Sequence, residues 1–191
     1  MKLGLVTKEK CRMLPTSVDA ERVIKHERGV LLSIMTKHVD DLKLTGERPM
    51  IEWILRQIQE VFGDLKLVWH EFTNCGVRHI QCKTTLQITL DQEEYIRNLR
   101  PITHPDLRGK AKDADCSPEL TQLFMSLLGA VAYALMTRID IAVFVCALQR
   151  VTHKPKIIHV KRLNAILRCI QGNPRSIHYG KITGTTHLRC V

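Results

Sequence analysis

Residues 29–46 have the sequence GVLLSIMTKHVDDLKLTG, and this stretch decides the fold class. The apolar, partly β-branched run at 29–35 predicts a buried strand, and residues 43–46 predict a strand that returns beside it. Two adjacent acids, Asp40 and Asp41, fall at the turn between the two runs. The stretch therefore predicts an antiparallel strand–turn–strand unit with a pair of carboxylates at its tip.

The residues after this unit alternate between helical and strand patterns. Pro49 stands where a helix begins, apolar residues then recur at helical spacing, and Gly63 ends the predicted helix. Short strand-like runs and a helix with acidic residues in its first turn follow. The strands are predicted at 65–69, 77–82 and 86–90, and the helix at 91–99.

The second half of the chain is predominantly helical. Residues 101–117 are polar and proline-rich, and they predict a linker. Helices are predicted at 119–136, 140–151 and 156–171, and a short strand at 177–182. The predicted fold is α+β, in five parts: an unassigned leader at 1–29, antiparallel strands with packed helices at 30–100, the linker, an all-helical subdomain at 118–172 and a tail at 173–191.

The distribution of charged residues along the chain is more informative than the net charge. The chain has 191 residues, with 29 Lys and Arg against 19 Asp and Glu, a formal net charge of +10. Residues 141–191 hold nine of the basic side chains and no acidic one. Three interpretations are open for such a segment. It forms a basic face exposed to solvent, a basic face that contacts an acidic domain, or a surface that binds the phosphates of a nucleic acid.

The seven cysteines have scattered spacings and no CxxC pair, which favours a reducing, intracellular compartment. His70, Cys75, His79 and Cys82 lie close enough in sequence to suggest zinc. A strand at 77–82 would, however, point His79 and Cys82 to opposite faces. The sequence predicts no signal peptide. It also predicts no membrane span, because residues 137–140 interrupt the most apolar region.

The Asp40–Asp41 pair is the strongest chemical feature of the sequence. Two neighbouring carboxylates repel each other unless a cation joins them. Oxygen ligands suit Mg²⁺, and paired carboxylates of this kind hold two such ions in nucleotidyl transfer. An ordinary polar β-turn would also place two acids side by side, so the pair alone leaves both readings open.

Four motifs in the same order resemble the reverse transcriptases of copia-type retrotransposons. His38-Val39-Asp40-Asp41 resembles the Tyr-Val-Asp-Asp motif, and Leu90-Asp91-Gln92-Glu93-Glu94-Tyr95-Ile96 is similar to the Leu-x-Gln-x-x-Tyr-Ile stretch. Thr137-Arg138-Ile139-Asp140-Ile141 resembles the Thr-Arg-Pro-Asp-Ile block. Lys161-Arg162 with Leu167-Arg168-Cys169-Ile170-Gln171-Gly172 resembles the basic helix that follows.

The resemblance implies part of a polymerase palm followed by a helical thumb or connection subdomain of a Pol polyprotein. It implies RNA-directed DNA synthesis, with Asp40 and Asp41 as catalytic ligands of two Mg²⁺ ions and His38 near the primer end. The implied partners are a template-primer duplex, a dNTP and the rest of the polyprotein. The residues implied to grip the duplex are Lys154, Lys156, Lys161, Arg162 and Arg168.

Two departures from the family pattern limit what the resemblance implies. His38 replaces the family's tyrosine, and no segment before residue 30 matches the strand that carries the family's first catalytic aspartate. Asp19 stands too close to Asp40 to take that place. We therefore expect an inactive polymerase fragment, located in the cytoplasm, in a retroelement particle, or in the nucleus. The alternatives are a nucleic-acid-binding module and a non-functional relic of a decayed retroelement.

Overall fold

A computed structural model describes residues 3–38 and 41–180 of the protein. The chain is α+β, as the sequence predicts, with two antiparallel four-stranded sheets and several packed helices. It divides into two compact units, residues 1–67 and 68–191. The division therefore lies after Leu67, whereas the proline-rich stretch at 101–117 belongs to the second unit.

The first unit is a sheet covered by one long helix. Strands β1 (Leu14–Pro15), β2 (Arg22–Glu27), β3 (Val30–His38) and β4 (Asp41–Gly46) lie in that order. Arg28 and Gly29 join β2 to β3 in a tight turn, and both have positive φ, 50° and 80°. Such φ values match a two-residue hairpin turn, whose twist suits antiparallel strands. The antiparallel pairing of β3 with β4 confirms the two predicted strands, with Asp41 as the first residue of β4, and residues 39 and 40 of the predicted turn lie outside the described residues.

Helix α2 (Arg48–Phe62) packs its apolar stripe onto this sheet. Ile54 and Ile58, one turn apart, meet Val23 and Met35 from β2 and β3 in a buried cluster. The leader is part of this core, which its sequence did not predict. It forms α1 (Leu3–Leu5), a helical turn over Val6–Lys10 and β1, and it contributes Val6, Cys11 and Met13 to the cluster.

The second unit has a small sheet and a larger helical core. Its strands are β5 (Glu71–Asn74), β6 (Val77–Gln81), β7 (Ile88–Asp91) and β8 (Ile177–Tyr179), in that order. The strand predicted at 65–69 is wrong, because residues 63–69 are irregular. The helices are α3 (Glu93–Asn98), α4 (Asp106–Gly109), α5 (Pro118–Tyr133), α6 (Ala142–Gln149) and α7 (Ile157–Gly172).

The stretch at 101–117 is fastened to the helical core. The buried side chain of Asn164, on α7, forms two hydrogen bonds with the backbone of Ile102: it accepts from the N–H and donates to the C=O, both at 2.8 Å. Ile102, Leu107 and Cys116 pack against the core, and the Cys116 N–H donates to the Pro155 C=O at 3.0 Å. The polar composition of the stretch predicts a linker and gives no sign of these contacts with the core.

Among residues 3–38 and 41–180, one helical segment, Pro118–Met136, is long and apolar enough to cross a membrane by length and composition alone. A core helix of a soluble protein meets the same criteria. Here 33% of its most apolar window is buried, and Leu120, Phe124, Leu127 and Val131 lie in the core of the second unit. The segment thus packs as a core helix in this fold, with one face against α6 and α7.

Candidate nucleic-acid interface

The β3–β4 hairpin presents Asp41 and His38 side by side. Asp41 is the first residue of β4, His38 is the last of β3, and the two are direct cross-strand partners. Both are exposed. Asp40 lies outside the described residues. The structure therefore places one of the two predicted carboxylates next to the predicted primer-end residue, at the accessible end of the sheet.

The sheet face beside Asp41 carries cations. Arg22, Thr36 and Lys43 are in register across β2, β3 and β4, and strand alternation puts them on the same face as His38 and Asp41. Burial lowers the pKa of the Lys43 ammonium. The other described carboxylate of this face, Glu27 on β2, pairs with Val30 at the opposite end of β3 from His38 and Asp41.

Mg²⁺ needs several oxygen ligands, and a two-ion site needs more than one carboxylate. Among residues 3–38 and 41–180, no group of three His, Cys, Asp or Glu side chains could hold a metal ion. Asp40 lies outside the residues covered by that search, so the magnesium site predicted at Asp40 and Asp41 stays a prediction. The same search gives no zinc site around His70, Cys75, His79 and Cys82; the His79 ring instead stacks on Phe72, with centroids 4.9 Å apart.

Three of the motifs that carry the family resemblance are joined by hydrogen bonds in the second unit. The Thr137 hydroxyl donates to Oε1 of Gln92 at 2.9 Å, and both side chains are buried. The Tyr95 hydroxyl donates to the Ala130 C=O at 2.9 Å, which ties α3 to α5. Gln171 Nε2 donates to the carbonyls of Ile96 and Leu99, which ties α7 to α3; these bonds are 3.0 and 2.9 Å long.

Arg138 is the most buried charge in this network, with 2% of its surface exposed. Its Nε and Nη2 donate to the two carboxylate oxygens of Asp140, at 2.9 and 2.8 Å. Its Nη1 donates to the carbonyls of Ile170 and Asn173 at the end of α7, at 3.1 and 2.9 Å. These contacts pair the guanidinium and cap the helix, so these motif residues hold the helical unit together.

Helix α7 carries three of the predicted nucleic-acid-binding residues on its outer side. Val160, Leu163, Leu167 and Ile170 face the core. The opposite side presents Lys161, Arg162 and Arg168, with Ala165 and Cys169 between them. Lys161 and Arg168 are seven residues apart, so they lie on the same edge of the helix about 10 Å from each other. Arg162 lies on the other edge.

The remaining two predicted residues lie at or before the start of α7. Lys156 is the exposed N-cap of the helix. Lys154 is also exposed, but its ammonium pairs with the Asp115 carboxylate at 3.3 Å. The ion pairs found among the described residues include none with Lys156, Lys161, Arg162 or Arg168. We define Lys161, Arg162 and Arg168 as the α7 cationic face.

His159 holds the start of this helix in a pH-dependent way. Its Nδ1 accepts a hydrogen bond from the Lys156 N–H at 3.0 Å, which requires an unprotonated nitrogen. Burial lowers the pKa of His159, and the nearby charges of Arg162 and Lys156 lower it further. The folded state therefore favours neutral His159.

The lowered pKa predicts acid sensitivity. Between the folded pKa of His159 and its unfolded value of about 6.5, the unfolded chain binds the proton more readily. The His159 contribution to stability is therefore full above pH about 6.5 and falls as the pH drops below it. We expect His159→Gln to reduce this pH dependence, measured as the difference in unfolding free energy between pH 7 and pH 5. Equal pH dependence in both proteins would contradict the role of His159.

The structure thus defines an α+β protein with an acid-tipped strand hairpin and a helical unit whose last long helix presents a cationic face. The chain is similar to "Retrovirus-related Pol polyprotein from transposon RE1" of Arabidopsis thaliana, with 26% identity over 171 residues. The match covers 83% of this chain but 11% of that polyprotein, and it supports a retroelement origin. No protein-family model and no solved structure matches the chain.

Proposed function

We propose that this chain is a duplex-binding portion of a copia-type reverse transcriptase region that does not transfer nucleotides on its own. The observation that carries the proposal is the α7 cationic face, which lies in a segment without a single acidic residue. The four-motif resemblance and the similarity to a retrotransposon Pol polyprotein support the same origin.

The chemistry of the face suits a phosphate backbone. Each Lys or Arg that neutralises a phosphate releases condensed counterions, and this release favours binding. Alanine and cysteine between the cations leave room for a backbone to approach the helix. Because no carboxylate occurs in residues 141–191, the cations have no acidic competitor within that segment. We infer that the ligand is a template-primer duplex, bound through its backbone and without sequence preference.

The polymerase site of this chain is incomplete in the proposal. By resemblance, Asp40 and Asp41 would hold Mg²⁺, the ion that would activate the primer hydroxyl and neutralise the dNTP phosphates. Next to Asp41, the described neighbours on the sheet face are His38, Lys43 and Arg22, none of them acidic. In the proposal, the carboxylates near Asp41 are too few for two-ion catalysis.

The salt dependence of duplex binding tests the proposal. We expect the logarithm of the affinity to fall linearly with the logarithm of salt concentration. Lys161→Gln/Arg162→Gln/Arg168→Gln should reduce that slope by about 2 to 3 and weaken binding at low salt by about 10- to 100-fold. Fluorescence anisotropy with a labelled RNA–DNA duplex measures both quantities.

A matched control removes the same charge from the first unit. Arg28, Arg56 and Lys66 are exposed, and their triple replacement by Gln changes the net charge equally. We expect this control to retain the wild-type slope. If both triple variants lose the same affinity, net charge alone drives binding, and the α7 cationic face is not the interface.

A further inference from the structure

Helix α6 is apolar on all sides, although only one side is buried. Its sequence is AVFVCALQ, and Val145 and Leu148 are its buried side chains. Val143 is 77% exposed and Phe144 is 59% exposed. A helix that is apolar all round is normally enclosed by other elements. Within the described chain, the outer side of α6 has no such cover.

The exposed apolar residues form one stripe. Helical spacing places Val143 and Ala147 in line, one turn of α6 apart, with Cys146 beside them, and Ile139 lies in the short helical turn Ile139–Ile141 that leads into α6. Ile139 is 74% exposed, and Ala147 and Cys146 are also exposed. Single exposed apolar side chains are ordinary, but a contiguous stripe marks an interaction surface. We name it the α6 stripe; its members are Ile139, Val143, Phe144, Cys146 and Ala147.

The charges at the ends of the α6 stripe are effectively cationic. Arg150 is exposed at the carboxyl end, seven residues after Val143 and thus on the same side of the helix. Asp140 stands at the amino end, but its carboxylate is bonded to Arg138 and lies 3.6 Å from Arg175. From residue 141 onward the sequence contains no acid. A ligand that binds the stripe therefore contacts an apolar surface whose surroundings carry net positive charge.

We propose that the α6 stripe binds an amphipathic helix that carries Asp or Glu beside its apolar face. The stripe spans about two helical turns, roughly 12 Å, which fits one short helix lying in contact with it. Acidic residues on that helix complement the positive field. Two copies of α6 would instead bring cationic ends together. The stripe itself offers a nucleic acid no cationic side chain for its phosphates. This proposal is independent of the proposed duplex binding.

A designed peptide tests the proposal. It is a helical peptide of about 15 residues with Leu on one face and Glu on the other, labelled and titrated with the full chain at physiological salt. We expect saturable binding, and a loss of about tenfold or more in Val143→Ser/Phe144→Ser. Leu123→Ser/Met125→Ser, which changes two exposed apolar residues of α5, should bind like the wild type. Because all four side chains are exposed, circular dichroism should show an unchanged fold.

Three outcomes would overturn the proposal. Equal binding of a peptide of the same composition with its Leu residues scattered would show attraction by charge alone. A dimer in sedimentation that Val143→Ser/Phe144→Ser abolishes would make a second copy the occupant. Loss of duplex affinity in the same variant would assign the stripe to nucleic acid. Loss of duplex binding in the α7 variant alone would leave this proposal intact, since that variant does not alter the stripe.

Discussion

Replacing Arg138 with methionine is expected to lower the unfolding free energy of the second unit by about 3 kcal/mol. Methionine fills part of the volume but donates no hydrogen bonds. The carbonyls of Ile170 and Asn173 then lose their donor at the end of α7, and the Asp140 carboxylate loses its two-oxygen partner. Denaturant unfolding followed by helical circular dichroism measures the loss.

The matched control for this variant is Arg97→Met. Arg97 also pairs with a carboxylate, Glu93, but its side chain is 70% exposed, so its removal should cost about 0.5 kcal/mol or less. Trp53 belongs to the first unit, and in a Trp69→Phe background its fluorescence should show that the first unit is unchanged. Equal losses from Arg138→Met and Arg97→Met would contradict the structural role of the buried arginine.

Replacing Gly46 with alanine is expected to destabilise the first unit by about 3 kcal/mol. A Cβ atom at this position would lie 2.5 Å from the Leu32 carbonyl oxygen and 2.8 Å from the Ser33 Cβ. Both neighbours belong to β3, so the clash can be relieved only if β4 moves away from its partner strand. The hairpin that presents Asp41 would move with it. Denaturation followed by Trp53 fluorescence measures the loss.

Gly4→Ala provides the comparison in the same unit, because nothing lies within 4 Å of a Cβ atom at Gly4. This variant should unfold at nearly the wild-type denaturant concentration. If Gly46→Ala did the same, the close approach of β3 and β4 at Gly46 would be wrong, and with it the position assigned to Asp41.

The regular elements of this protein were predictable where their apolar pattern follows one face. The β3–β4 hairpin, α2, α5 and α7 were predicted from such patterns. The structure of the leader was not predicted. In β2, Lys25 is buried at a position where an apolar residue would have made the alternation of buried and exposed residues visible in the sequence. The Lys25 ammonium donates to the Cys11 C=O at 2.9 Å and lies 4.8 Å from the centroid of the Trp53 ring. A local sequence pattern does not predict partners that are so distant in the sequence.

The boundary between the units was missed for a related reason. Proline-rich, polar residues at 101–117 predict a linker, but the anchor of that stretch is the Asn164 side chain, which is distant in sequence. The candidate interface was more accessible to sequence analysis. Charge arithmetic identified residues 141–191 as a possible phosphate-binding segment, and helical spacing then decides which cations share a face. The structural roles of Gln92, Thr137 and Arg138 required coordinates, because polar side chains show their burial only in the folded state.

Primer extension tests the central claim most directly, namely that the chain binds a template-primer and cannot extend it. The wild-type chain and Asp40→Asn/Asp41→Asn are compared on poly-rA/oligo-dT with Mg²⁺ and dTTP, at a concentration where binding is saturated. We expect both proteins to retain the duplex and neither to lengthen the primer. Extension by the wild-type chain that the double variant loses would contradict the account, because it would show that this chain assembles a complete metal site around Asp40 and Asp41.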